Sequence, residues 1–144
     1  MRKKIVPLVL AFLLCFAGSA PVYADSDSSG NVINRGQQIN YVYLSAIGSG
    51  LSINPSGYAT CSGYLILLKD YNSSLTLTLQ RSNGSGWSDF KSWSQSFTGK
   101  GSHSMQKGYY VYSGYNYRVL TTAKVINGST VIETASVASP IEQY

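Results

Sequence analysis

This sequence predicts an all-β fold: an antiparallel β-sandwich, immunoglobulin-like, of about seven or eight strands. Three observations carry that expectation. The run Leu75-Thr76-Leu77-Thr78-Leu79-Gln80-Arg81 alternates apolar and polar side chains, the period of a half-buried strand and one that no helix face can use. Turn signals such as Pro55-Ser56-Gly57, Asn83-Gly84 and Asn127-Gly128 separate short segments at the spacing of strands in small β-domains. Beyond the first two dozen residues, no stretch has the 3.6-residue apolar period of a helix. Two sheets packed face to face suit the pattern better than a closed barrel, because the conspicuous alternation is one-sided strand by strand and tryptophans opposite small residues suit a layer between sheets.

Residues 1–24 have the form of a secretory signal peptide. Arg2, Lys3 and Lys4 precede an almost unbroken apolar run from Ile5 to Gly18, and Val22-Tyr23-Ala24 offers a small-residue cleavage site. Cys15 raises a lipoprotein reading, but Leu14 stands where a small residue would be needed and residues 16–24 continue as leader. Cleavage after Ala24 leaves residues 25–144, enough for one domain that buries roughly two thirds of its surface. No later apolar run reaches the ~18 residues of a membrane span, so no stable membrane insertion is expected after cleavage. The expected localisation is secreted, extracellular or cell-surface associated. Residues 25–37 (DSDSSGNVINRGQ) read as a flexible lead-in, 38–138 as the sandwich domain, and 139–144 as a tail.

The first strand opens at Ile39. Its apolar residues occupy both parities (Tyr41, Tyr43 and Ile47 against Val42 and Leu44), which implies two buried faces or a bend. Gly48-Ser49-Gly50 is expected to loosen it before Leu51 and Ile53 resume the alternation. Tyr58 to Ile66 is the second strand, with the small Ala59, Cys61 and Gly63 on one face and large partners expected opposite, Trp87 and Trp93 foremost. Leu65 to Leu68 suggests a crossing between sheets. The Leu75–Leu79 strand should anchor the core at roughly 1.5–3 kcal/mol per leucine. After the Ser82–Gly86 hairpin loop, Trp87, Phe90 and Trp93 fall at spacing three. In a serine-rich segment with no cap, this is read as a return strand with a bulge near Asp89 that keeps both tryptophans inward.

Thr98 to His103 is expected as a loop, and Ser104 to Lys107 as a short edge strand with Met105 inward. Tyr117 to Val125 is a long strand with Tyr117, Val119, Ala123 and Val125 facing the core. Tyr115 or Tyr117 at its start resembles the tyrosine corner of immunoglobulin-like folds. Thr130 to Val137 closes the domain.

Candidate chemistry is sparse, and no catalytic residue, metal ligand set or cofactor is assigned. The acids outside the chain ends are Asp70, Asp89 and Glu133. The histidine is His103, and no serine lies in a nucleophile elbow. Once Cys15 leaves, Cys61 has no partner within the chain; it reads as a small buried hydrophobe, with an interchain disulfide or a reactive thiol as sharper alternatives. Asn72, Asn83 and Asn127 head Asn-x-Ser sequons in expected loops and are turn formers first. Eleven Lys/Arg stand against six Asp/Glu; three of the eleven leave with the leader, so the mature chain carries eight against six, a thinly spread net +2. That is no nucleic-acid footprint. The tyrosines of 109–117 form the one surface worth weighing, with Tyr109, Tyr110, Tyr112 and Tyr115 as ligand-binding candidates, since tyrosine offers flat amphipathic area at small entropic cost.

The segments Leu51-Ser52-Ile53, Gly57-Tyr58-Ala59-Thr60-Cys61-Ser62-Gly63, Leu79-Gln80-Arg81, Gly86-Trp87, Lys91-Ser92-Trp93, Tyr117-Arg118-Val119 and Glu133-Thr134-Ala135 resemble a group of small secreted single-domain β-sandwich-like proteins from Gram-positive bacteria. The resemblance spans roughly residues 40–137 and implies an exported β-domain. It implies no functional residue. The expected function is non-enzymatic contact with an extracellular protein or cell-envelope component such as a cell-wall polysaccharide. The alternative is a carbohydrate-binding module that uses exposed Trp/Tyr rings. Oligomeric state is left open.

Overall fold

Alternating side chains on successive strands dictate which residues meet in this molecule. The computed structural model describes residues 41–144; the leader, Cys15, the lead-in and Ile39 lie outside the described residues. Strands run in chain order as β1 (Leu44–Ile53), β2 (Tyr58–Leu67), β3 (Asn72–Ser82), β4 (Ser88–Thr98), β5 (Gly101–Tyr110), β6 (Asn116–Asn127), β7 (Thr130–Ala138) and β8 (Glu142–Gln143). They form a three-stranded sheet, β1-β2-β5, and a larger one, β4-β3-β6-β7, with β8 also paired to β6. All pairings are antiparallel. This is an immunoglobulin-like sandwich in which the fourth strand has moved to the edge of the second sheet.

The core is the layer between the sheets. Leu75, Leu77 and Leu79 of β3 are fully buried beside Tyr117, Val119, Ala123 and Val125 of β6, and Ala59, Cys61, Leu65 and Leu67 of β2 face them with Met105 of β5. The expected leucine row and the inward residues of β6 are as the alternation predicts. So is the tyrosine corner, at Tyr117 rather than Tyr115. The Tyr117 hydroxyl donates to the Tyr112 carbonyl at 2.7 Å and accepts from the Tyr112 N–H at 3.1 Å.

The small inward row of β2 is also present, but its partners differ from the expected tryptophans. A Cβ on Gly63 would meet Leu77 Cδ2 at 2.5 Å and Thr121 Oγ1 at 2.8 Å, so the central strands β3 and β6 fill that space. Trp93 lies on the edge strand β4 and is half-buried; Trp87 precedes β4 with the Arg118 guanidinium 4.2 Å from its ring centroid. Trp93 packs against the margin of the core from its edge strand and Trp87 lies outside the strands, so the side chains of β3 and β6 fill the space over Gly63.

The expected bulge lies where Leu79 pairs Lys91 and Gln80 pairs Asp89, leaving Phe90 as the extra residue. The parity change of the first strand is a second bulge, between Leu44 and Ala46. Gly48-Ser49-Gly50 does not loosen β1, because its pairing with β2 is continuous from Ala46 to Ile53. The crossing at the end of β2 takes place after Leu67: Leu68 is exposed, and Lys69 to Tyr71 lead to the other sheet.

The loop expected at 98–103 shrinks to a turn at Gly99-Lys100, and β5 takes up Gly101 to Tyr110. Gly99 and Gly101 have φ of 83° and 119°, values that suit glycine, and Asp70 Oδ1 accepts the Lys100 N–H at 3.0 Å. Residues 139–144 carry structure as well. Ser139 is buried and exchanges hydrogen bonds with the Val119 backbone, and Tyr144 pairs with Tyr115 while its ring packs on Gly57.

Candidate functional site

The two sheets present very different outer faces. On the larger sheet, outward hydroxyls face one another across strands and satisfy each other: Thr76 with Ser94 at 2.7 Å, Thr78 with Ser92 at 3.2 Å, and Thr122 with Ser136 at 2.9 Å. Gln80, Asp89 and Arg118 there are also tied together, since Gln80 donates to Asp89 and accepts from Arg118, each at 2.8 Å. Although the side chains of Ser74, Ser96, Thr134 and Lys124 have no hydrogen-bond partner among the described residues, that face is largely self-contained.

The outer face of the smaller sheet is not. Its outward positions are 46, 48, 50 and 52 on β1, 58 to 66 alternately on β2, and 102 to 110 alternately on β5, and none carries a charge. Tyr64 and Tyr58 lean sideways across neighbouring strands. The Tyr64 ring fills the space where Gly48 would have a Cβ, and the Tyr58 ring does the same at Gly108. Glycine at both points lets the rings lie down on the sheet, a packing that also covers exposed backbone. Tyr110 meets Tyr58 edge to face at 5.0 Å and is itself 67% exposed. Between the rings lie Ser52, Thr60, Ser62, Ser104 and Gln106, whose side chains make no hydrogen bond within the described residues. The β2–β5 register is unbroken over its whole length, so this face has no step in it.

The ligand-binding candidates from the sequence are divided between this face and the seam where the edge strands β4 and β5 meet without pairing. Tyr110 is on the face. Tyr109 points to the seam, against Phe90 at 5.6 Å and Trp93 at 6.2 Å, with Lys91 Nζ 5.5 Å from its centroid. Tyr112 is 65% exposed, its ring 6.0 Å from Phe90. Tyr115 is half-buried beside Tyr117 with the Arg81 guanidinium 5.2 Å from its centroid. Lys91 and Lys107 occupy inward registers of these edge strands yet remain exposed, the arrangement that keeps an edge from pairing with another chain. Tyr58 and Tyr64 were not among the sequence candidates. Their mark is a glycine in the neighbouring strand, Gly48 directly opposite Tyr64 and Gly108 diagonal to Tyr58, and register is needed to see it.

The ionisable groups are dispersed and occupied. His103 is on β5, stacked on Phe97 at 4.8 Å, and its Nε2 is 2.9 Å from the Gly99 carbonyl oxygen. Asp70 precedes β3 and Asp89 pairs with Gln80 near the far end of the hairpin, with the paired stretch from Asn72 to Gln80, about 26 Å at ~3.3 Å per residue, between them. Glu133 accepts the N–H groups of Val42, Tyr43 and Leu44 at 2.8–3.0 Å and ties the entrance of β1 to β7. Among the described residues no three of His, Cys, Asp and Glu come together as metal ligands would. Burial pushes the Cys61 thiol up to about 12, which leaves it protonated and inert, and its complete enclosure excludes an interchain disulfide in the folded state. Among the described residues no helix is long and apolar enough to cross a membrane.

No family model matches the chain, and no curated protein matches it. Among solved structures, the solution structure of R. palustris CsgH is similar at 15% identity, over 65% of this chain and 89% of that one, with a TM-score of 0.35. The functional reading therefore rests on this chain's own geometry.

Proposed function

We propose that this protein is an exported, non-enzymatic β-domain that acts by surface contact with a component of the cell envelope or its surroundings. The observation that carries the reading is the outer face of the three-stranded sheet: uncharged, aromatic at its ends, and polar without internal partners in between. Water holds these groups in the free protein and can be displaced from them, so an uncharged sheet face that sets aromatic rings beside them is suited to contact. Tyr110 belongs to the contact together with Tyr58 and Tyr64, and Tyr112 extends it at the rim. Tyr109 and Tyr115 serve chiefly to close the seam between β4 and β5. The leader directs the chain to the compartment where such a contact takes place.

The experiment is co-sedimentation of purified protein with an envelope fraction from the source cell. Ser62→Asp and Gln106→Glu place charge on the face without touching the core, and each should weaken sedimentation by about tenfold in affinity. Thr122→Asp, on the opposite face, should not. Equal binding by all variants would show that the contact lies elsewhere.

A further inference from the structure

Resting on that contact reading, we infer that the occupant of the face is an uncharged polysaccharide chain laid across β1, β2 and β5. Three properties of the surface select this chemistry. First, the absence of charge offers nothing to an anionic polymer, and the exposed lysines Lys91 and Lys107 open on the seam instead. Second, the Tyr58 and Tyr64 rings lie over Gly108 and Gly48 rather than standing up from the sheet. Tyr58 and Tyr64 remain 38% and 36% exposed, so part of each ring is open to solvent as a surface on which the apolar face of a sugar ring can rest. The two tyrosines are six residues apart on one strand, about 20 Å at ~3.3 Å per residue, which calls for an extended ligand of several sugar units.

Third, the ground between the rings is furnished with Thr60, Ser62, Ser104 and Gln106, donors and acceptors that the protein itself leaves unused. On the opposite sheet Thr76, Thr78 and Thr122 each pair with a serine across the strand, whereas no hydroxyl on this face pairs with another across its strands. A second copy of this chain, packed face to face, brings the same groups on a rigid sheet related by one two-fold rotation, and so does not set a partner opposite each of them. Each polar group buried without a partner opposes such packing. A glycan arrives with its own hydroxyls and can satisfy them, directly or through water.

The test is binding of the full exported protein to uncharged polysaccharides (an unbranched β-glucan, chitin, mannan and starch), by affinity electrophoresis and calorimetry. At least one should bind, with an affinity that changes less than twofold between 0.05 and 0.5 M salt because no ion pair is involved. Tyr64→Ser and Tyr58→Ser should each weaken it about tenfold, and Gln106→Glu should do so without removing a ring. Thermal melts of the same variants confirm that they remain folded. If no uncharged polysaccharide binds, while envelope sedimentation persists and is abolished by protease treatment of the envelope, the occupant is a protein; the glycan inference falls and the contact reading stands. If the face variants instead abolish self-association of the purified protein, the occupant is a second copy and the inference also falls. Glycan binding that is unchanged in every face variant overturns both.

Discussion

Replacing Gly63 by alanine tests how the two sheets are spaced. Gly63 sits on the inner face of β2, buried, with an ordinary strand backbone, so the new side chain meets no φ penalty. It meets matter instead: Leu77 Cδ2 at 2.5 Å, Thr121 Oγ1 at 2.8 Å and Thr121 Cγ2 at 2.9 Å. Overpacking of this kind costs about 1–3 kcal/mol. Thr121 Oγ1 also donates to Ser49 Oγ, which donates to the Val119 carbonyl, and displacing it puts about 1 kcal/mol of hydrogen bonding at risk. Against these stands a gain of about 0.5 kcal/mol from the stiffer unfolded chain. The net expectation is a loss of about 2 kcal/mol, read as a fall of about 1 M in the urea midpoint at an unchanged slope. Gly50→Ala is the matched control, since its Cβ meets only the Ser62 hydroxyl, at 2.6 Å on a side chain free to turn; its midpoint should move little. Leu77→Val should partly relieve Gly63→Ala, so that the double variant loses less than the sum of the singles. A wild-type midpoint for Gly63→Ala, or strict additivity with Leu77→Val, would refute the claim that this contact sets the layer spacing.

Leu77→Asp should leave the chain unfolded by circular dichroism, because it buries a charge at the centre of β3, whereas Thr78→Asp, one residue on and facing outward, should keep the native spectrum. Tyr117→Phe removes the hydroxyl that engages both the N–H and the carbonyl of Tyr112 and should cost about 1–3 kcal/mol by denaturant titration. Cys61 should react with a thiol reagent only under denaturing conditions; fast labelling of the native protein would contradict its enclosure. Its thiol, raised in the folded state from 9.0 to about 12, keeps its proton where the unfolded chain loses it, so stability should fall as pH rises through that window. Cys61→Ala should flatten the alkaline loss.

The strands that sequence reading placed most surely were those whose one-sided pattern needs no knowledge of neighbours. Leu75, Leu77 and Leu79 announce an inner face by themselves, and Tyr117, Val119, Ala123 and Val125 do the same. Even the bulge at Phe90 was legible, because spacing three within a strand forces an extra residue. Segments rich in glycine and serine misled. In isolation Gly48-Ser49-Gly50 looks like a loosened stretch of strand and Thr98 to His103 like a loop, but 48–50 and 101–103 lie within strands whose partners cover or pair them. The tryptophans look like core residues on size, but Trp93 stands on an edge strand, half-buried against the margin of the core, and Trp87 precedes that strand.

The same division holds for the candidate surface. Composition along the chain determined that the domain is all-β, exported in expectation, poor in charge and rich in tyrosine, since each of these is a property of residues taken singly or of their local period. Which tyrosines lie together, which glycines they cover, and which hydroxyls are left without partners depend on register between strands distant in the chain. Tyr64 meets Gly48, and Tyr58 meets Gly108, only because β2 pairs with β1 on one side and β5 on the other. Such pairings are settled by the packing of the whole inner layer, and the outer face follows from it because successive side chains on a strand must point in opposite directions.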